Sequence, residues 1–200
     1  MAYTGGELNE LNGKMGISAP YKSVPVMKLI KNHNPKSKAE LVSLIETHFK
    51  TQCNCGVISK GTVEQFGKNL YEAQLNYWGG YKYSLDQCIQ WEYDLFITQS
   101  LKGGYMEKKA QTELSKNFPK LSFKLIDGML DEEYRIDIVA YQNSSEIFGV
   151  QVKPHSYNYM RESVQSFNKN ANQKWHKPVY YLFYDENLSF VNLNEIINPI

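Results

Sequence analysis

Three polar residues interrupt two apolar stretches in the second half of the chain, and their types and spacing could bind a metal ion. Asp137 lies between Ile136 and Ile138, and Gln151 and Lys153 alternate with valines after thirteen intervening residues. Alternate residues of a strand share one face, so Gln151 and Lys153 are expected together. A hairpin that pairs the two stretches places Asp137 across from them. Burying a charge without a partner is costly, so this arrangement requires an explanation.

Glu107 is a fourth candidate, supplied by a predicted helix over residues 105–118. It lies three residues before Ala110 and seven before Leu114. At helical spacing it therefore points with the apolar face of that helix, whereas Glu113 points away from it. A helix packed on the sheet through this face would bring Glu107 toward the strands.

Together these residues form an oxygen-rich set. Carboxylates of Asp137 and Glu107, the amide oxygen of Gln151 and the backbone carbonyl of Val152 are the ligands that Mg²⁺ prefers. The ammonium of Lys153 could orient and deprotonate an attacking water, or stabilise charge on a phosphate. The alternative from the residues alone is a buried ion pair between Asp137 and Lys153 beside a hydrogen-bonded Gln151.

The residues and their flanking elements resemble the PD-(D/E)xK nuclease superfamily, whose core is a helix, three strands, a helix and a strand. Its motif is similar to Asp137 followed, after thirteen residues, by Gln151-x-Lys153, with the supplementary helix acid at Glu107. The resemblance covers about residues 102–193. It implies that both acids bind the metal, that the glutamine completes its shell and that the lysine activates water.

Two residues depart from the pattern of that superfamily. Ile136 stands where the motif has a proline, and Gln151 stands where it usually has an acid. The glutamine removes one negative charge from the metal site. In this respect the chain resembles some modification-dependent nucleases of the superfamily, which also have glutamine at this place.

A mostly helical segment of about 100 residues precedes the core, as in short type II restriction endonucleases. The resemblance implies Mg²⁺-dependent hydrolysis of double-stranded DNA at a short specific sequence. Palindromic sites suit two-fold dimers, so a homodimer is expected. The alternatives are a structure-specific or repair nuclease, and a DNA-binding protein whose nuclease site is impaired.

The charge of the chain is unevenly distributed, although 22 Lys and Arg nearly balance 21 Asp and Glu. Six lysines and no acid lie between Leu11 and Ala39, and five basic residues and one acid lie between Gly149 and Pro178. Such segments suit a phosphate-binding surface, although solvated lysines are common on any surface. The predicted DNA contacts are Lys31, Asn32, His33, Asn34, Lys36, His155, Ser156 and Tyr157.

The predicted fold is an α/β fold, a mixed five-stranded sheet flanked by helices, with a mostly helical N-terminal half. Residues 1–101 form the recognition and dimerisation region, and residues 102–200 form the nuclease core. Loops and short turns are expected over residues 1–36, and capping boxes predict helices after Ser37, Thr62 and Ser84. The other predicted elements are helices at 105–118 and 158–175, strands at 121–126, 134–141, 147–153, 179–184 and 188–193, and a hairpin turn at 142–145.

The composition of the chain argues against several other classes of protein. Hydrophobic residues make up 42% of 200 residues, which is typical of a folded domain, and no apolar run reaches the roughly 18 residues of a membrane span. The N-terminus lacks the pattern of a signal peptide, so a soluble cytoplasmic protein is expected. The odd number of cysteines does not indicate a disulfide framework. His48, Cys53, Cys55 and Cys88 could bind zinc, but the Cys-x-Cys spacing is unusual for such a site and idle thiols are favoured.

Overall fold

The computed structural model describes residues 6–20, 22–51, 58–126, 129–160 and 162–197. The chain divides into two compact units, Met1–Gly104 and Tyr105–Ile200. Helices make up the regular structure of the described part of the first unit, and the second contains a sheet. Among the described residues there is no helix with the length and apolar character needed to cross a membrane. The recognition and nuclease roles assigned to the two halves stay predictions.

The first unit contains several helices, some of which begin where the sequence supplies a side-chain cap. They are α1 (Glu7–Met15), α2 (Val26–His33), α3 (Lys38–Thr51), α4 (Val63–Trp78) and α5 (Leu85–Tyr93). The capping boxes predicted at Thr62 and Ser84 are both formed, and Gln65 and Gln87 close them. Each box satisfies backbone N–H groups that have no partner within the helix.

Residues 1–36 were expected to lack regular structure, and for the described part of this segment that prediction is wrong. α1 buries Leu8 and Leu11, and α2 buries Val26 and Ile30, in two apolar clusters of the first unit. Both helices are so short that their apolar residues repeat only once or twice. Packing against the longer helices stabilises them, because isolated helices of this length are marginal.

The predicted start of a helix at residue 105 is also wrong. α5 is followed directly by a π-helical segment, Asp94–Gln99, and then by α6, Ser100–Asn117, which runs through both glycines. Gly104 is buried, and a Cβ atom there would lie 2.8 Å from a methyl carbon of Ile30. This glycine therefore permits a close approach rather than ending a helix.

The second unit contains a four-stranded mixed sheet, not the five-stranded sheet that was predicted. Its strands are β1 (Ser122–Leu125), β2 (Ile138–Gln142), β3 (Ser145–Pro154) and β4 (Val179–Tyr184), in the order β1-β2-β3-β4. β1, β2 and β3 pair antiparallel, and β4 lies parallel to β3. The predicted hairpin turn is formed, with positive φ at Asn143 and Ser144 as a two-residue turn of this kind requires.

The segment predicted as the fifth strand covers the edge of β4 in another way. It forms one isolated bridge, between Tyr184 and Phe190, and Leu188 has a φ of 60° that interrupts an extended chain. The side chain of Asn192 accepts a hydrogen bond from the N–H of Phe183 at 2.7 Å and donates one to the carbonyl of Tyr181 at 2.8 Å. A short 3₁₀ turn, Leu193–Ile197, follows.

Two apolar layers cover the faces of the sheet. On one face, α6 packs against Phe123 of β1 and against even-numbered residues of β2, β3 and β4, in a cluster that comprises Met106, Ala110, Leu114, Phe123, Ile138, Ala140, Phe148, Val150, Val152, Leu182, Tyr184 and Ile196. The other face holds Ile136, Val139 and Trp175. Two connecting elements complete the second unit, the helical turn α7 (Met129–Glu132) before β2 and a 3₁₀ turn (His155–Tyr159) leading into α8 (Glu162–Gln173). The predicted helix at 158–175 is thus shorter at both ends.

Candidate active site

Asp137 lies at the point where strand β2 separates from β3. The predicted strand over 134–141 begins only at Ile138, because Arg135 has a φ of 57° and the N–H of Ile136 bonds to Leu130 instead of β3. Asp137 still donates its N–H to the carbonyl of Val150 at 3.0 Å. The strands therefore part directly before Asp137 in the chain.

The side chain of Asp137 continues the pairing after the backbone has turned away. Its Oδ2 atom accepts a hydrogen bond from the N–H of Val152 at 2.7 Å. Asp137 thus contacts the backbone of both residues that flank Gln151. Asp137 as a residue is 9% exposed, so its environment is largely protein.

Gln151 and Lys153 lie on the face of β3 opposite to the α6 layer, as their alternation with Val150 and Val152 requires. The Gln151 side chain is 1% exposed, and its Oε1 atom has no hydrogen-bond partner among the described residues. Buried amide oxygens are nearly always paired. An unpaired one beside a carboxylate is a candidate ligand for a cation.

Glu107 lies on α6, one residue after the buried Met106 and partly exposed itself. Glu113, which lies on the same helix, contacts Lys116 in a salt bridge of 3.1 Å. Glu107 and Glu113 are both partly exposed, and their different orientation on α6 stays a prediction.

The phenol of Tyr184 reports that both carboxylates lie nearby. Burial raises the pKa of Tyr184, and the negative charges of Glu107 and Asp137 raise this pKa further. Burial, Tyr157 and then the charge of Asp137 raise the pKa of Tyr181 on the other face of the sheet. Charge interactions weaken with distance. Asp137 is therefore within electrostatic range of both tyrosines.

The donors at this site fit a hard cation. Two carboxylates, the unpaired oxygen of Gln151 and the carbonyl of Val152 are oxygen ligands of the kind that Mg²⁺ binds. In the described part of the chain, no three or more His, Cys, Asp and Glu side chains form a metal-binding group. The fit therefore depends on an amide and a backbone oxygen beside Asp137, and the contribution of Glu107, which lies on α6 across the sheet from Gln151, stays a prediction.

A family model described as MjaI restriction endonuclease matches residues 7–190. The chain belongs to the MjaI restriction endonuclease family. This membership is consistent with a type II restriction endonuclease of the PD-(D/E)xK superfamily, and it confirms the resemblance drawn from the sequence. No match was found among curated proteins, and none was found among solved structures.

In this member of the MjaI restriction endonuclease family, one group of predicted DNA contacts lies at the end of α2. The side chains of Asn32, His33, Asn34 and Lys36 are exposed and Lys31 is half-buried. Asn34 ends the helix in a left-handed conformation, with a φ of 48°. The segment is accessible to a ligand, and its contact with DNA stays a prediction.

The second group of predicted contacts follows β3. His155 and Ser156 are exposed, but Tyr157 is only 6% exposed. Its ring stacks on Tyr181, with ring centroids 5.7 Å apart, and its hydroxyl accepts a hydrogen bond from Asn168. Tyr157 is therefore held in place by protein contacts, and its contact with DNA stays a prediction.

The structure describes two of the four candidate zinc ligands, His48 and Cys88. His48 is buried and its Nδ1 atom lies 2.6 Å from the hydroxyl of Ser59. Cys88 is buried in α5, and burial raises the pKa of its thiol to about 11. Cys53 and Cys55 lie outside the described residues.

Sequence reasoning missed a cleft of about 670 Å³ next to the candidate active site. α8, β4 and the segments before each of them line it, and its walls include Tyr181 and Phe183. These two residues pair with Gln151 and Lys153 in the β3–β4 ladder. The signal was present in the sequence, because Tyr181 and Phe183 alternate along a strand and so share one face.

Proposed function

We propose that the protein is a Mg²⁺-dependent type II restriction endonuclease that hydrolyses phosphodiester bonds of double-stranded DNA at a short specific sequence. Family membership supports a nuclease that acts on DNA. The observation that carries the finer proposal is the buried, unpaired Oε1 atom of Gln151 opposite Asp137. A cation at this place would give that oxygen the partner that the described residues do not supply.

Asp137 and Glu107 would hold the metal, with the Gln151 side chain and the Val152 carbonyl completing its shell. Bound there, Mg²⁺ supplies Lewis-acid stabilisation of the negative charge on the scissile phosphate. The hydrogen bond from Val152 to Asp137 holds the carboxylate in one position, which limits the reorganisation needed for reaction.

Lys153 would orient the attacking water and stabilise charge on the phosphate. Water attacks phosphorus, the bond to the 3′ oxygen breaks, and the products carry a 5′ phosphate and a 3′ hydroxyl. Recognition would come from the α2 segment and from His155 and Ser156, with a homodimer reading both halves of a palindrome.

Digestion of genome-sized DNA with Mg²⁺, followed by sequencing of the fragment ends, tests the proposal. Asp137→Ala should abolish cleavage and leave DNA binding largely intact. Asp137→Asn separates charge from structure, because asparagine can still accept the hydrogen bond from Val152. Cleavage by either variant at the wild-type rate would exclude Asp137 from the chemistry.

The two acids of α6 give a matched pair of variants. Glu107→Ala should lower the cleavage rate by at least a hundredfold if this carboxylate binds the metal, whereas Glu113→Ala should leave it nearly unchanged. Equal losses in both variants would refute the assignment of the helix faces. The magnitude is that of losing one electrostatic group from an active site, about 10²–10³.

A DNA-binding protein with an impaired nuclease site is a second candidate, and the replacement of an acid by Gln151 favours it. That protein would bind DNA and give no metal-dependent fragments. Gln151→Glu separates the two candidates further, since it would create cleavage in an impaired site. Fragments without a shared end sequence would indicate instead a structure-specific or repair nuclease.

A further inference from the structure

The cleft beside the candidate active site has an aromatic wall. The rings of Tyr157, Tyr181 and Phe183 lie within 29° of parallel, with centroids 5.7 to 6.5 Å apart. Tyr157 is buried, and the other two are partly exposed. A flat array of this kind is a surface on which a nucleobase can stack.

Hydrogen bonds fix this wall in place. The hydroxyl of Tyr181 donates to Oδ1 of Asn172 at 2.8 Å, and Nδ2 of Asn172 donates to the carbonyl of Tyr134 at 2.7 Å. Asn172 itself is 7% exposed. The wall is therefore formed before any ligand arrives, which lowers the entropy cost of binding.

The charged residues that line the cleft favour an anion. They are Lys169, Lys177 and Glu162, and all three side chains are exposed. Two cations against one acid suit a phosphate at the mouth, while the aromatic wall suits a base inside. The cleft thus offers separate contacts for the two chemical parts of a nucleotide.

The volume and position of the cleft narrow the choice of ligand. A volume of about 670 Å³ lies in the range of sites for small ligands and is too small for a double helix. The ladder places Tyr181 next to Gln151 and Phe183 next to Lys153. A DNA strand that reaches the candidate active site therefore passes the opening of this cleft.

We propose that the cleft receives one unstacked nucleotide of the substrate DNA, with its base on Tyr181 and Phe183 and its phosphate at Lys169 and Lys177. This inference rests on the proposed function only in taking DNA as the ligand. Proteins that act on an extruded base offset the free-energy cost of unstacking by binding the base in a pocket of this kind.

Binding of a fluorescein-labelled thymidine trinucleotide, followed by anisotropy in EDTA, tests the inference without metal or cleavage. Phe183→Leu keeps apolar volume and removes the stacking surface, so it should weaken binding tenfold or more, about the effect of losing one stacked base. Lys169→Ala and Lys177→Ala should each lower the salt slope of binding by about one. Lys174→Ala is the matched control, because this exposed lysine lies outside the cleft lining.

The outcomes separate this inference from the proposed function. Trinucleotide binding that depends on Phe183 and Lys177 but not on Lys174 supports it, even in a protein that cleaves nothing. Absence of binding, or an equal loss in the Lys174 and Lys177 variants, overturns it even if DNA is cleaved. Thermal melting of Phe183→Leu verifies that the variant is folded.

Discussion

Glu92 is a fully buried carboxyl group on α5, and its replacement by glutamine should stabilise the protein above neutral pH. Ser18 is its hydrogen-bond partner, with the hydroxyl oxygen 2.7 and 3.0 Å from the two carboxyl oxygens and 3.2 Å from Oδ1 of Asn12. One hydroxyl proton cannot serve three acceptors at once. A protonated Glu92 supplies the missing proton, and Glu92→Gln keeps that shape without the titration.

Burial raises the pKa of Glu92 from an ordinary value of 4.5 to about 7, although the bond from Ser18 lowers it. The unfolded carboxyl loses its proton near pH 4.5, whereas the folded one keeps it until about pH 7. The stability from this group is therefore full below pH 4.5 and is lost as the pH rises through 7. At about 1.4 kcal/mol for each pH unit, the loss is about 3 kcal/mol.

Urea unfolding of both proteins at several pH values between about 4.5 and 8 measures this difference. The free energy of unfolding of the wild type should fall by about 3 kcal/mol more than that of Glu92→Gln across this range. Burial and the charge of Glu92 raise the pKa of the Cys88 thiol to about 11, so the thiol stays neutral throughout. Glu64→Gln, at an exposed position, is the control and should shift stability little. Parallel pH profiles for the wild type and Glu92→Gln would refute the reasoning.

Three further predictions test packing, the sheet edge and DNA binding. Gly67→Ala should destabilise the protein by about 1–3 kcal/mol in urea unfolding, because its Cβ would lie 2.5 Å from a backbone atom of α5. Gly13→Ala, where the added Cβ has open space on α1, should stabilise the protein by about 0.5–1 kcal/mol. A Gly67→Ala variant more stable than the Gly13→Ala variant would contradict this packing argument. Asn192→Ala leaves the N–H of Phe183 without its acceptor and should cost about 1–3 kcal/mol, whereas the exposed Asn194→Ala should cost little. If a dimer contacts 6–10 phosphates, DNA binding should weaken about a thousandfold or more from 50 to 200 mM salt. A shallow slope with persistent nicking of a one-site plasmid would argue for a monomer.

The sequence predicted those elements of the fold that depend on local signals. Thr62 with Gln65, and Ser84 with Gln87, are caps whose geometry depends only on four consecutive residues. The short helices α1 and α2 have no such signal, because tertiary packing stabilises them. The helix predicted from residue 105 in fact continues back through Gly104, and the sequence does not reveal that another helix approaches this glycine closely.

The candidate site was predictable in part for the same reason. Period-2 alternation places Gln151 and Lys153 on one face, and a hairpin turn between them and Asp137 sets the pairing. The alternation does not reveal that β2 turns away and that the carboxylate itself bonds to Val152. The buried position of Tyr157 depends on contacts with β4, a distant part of the chain.

Side-chain amides bind backbone groups of both outer strands of the sheet, β1 and β4. Asn192 bonds to the backbone of Tyr181 and Phe183 in β4, and Gln111 donates to the carbonyl of Phe123 in β1 at 2.7 Å. Outer strands with unpaired backbone groups can recruit a strand from another chain, and covering those groups prevents it. A strand of another copy therefore could not add to the sheet beside these residues without displacing the amide of Asn192 or that of Gln111. A dimer formed without such a displacement, if one accompanies cleavage of both DNA strands, would use surfaces other than these two parts of the sheet edges.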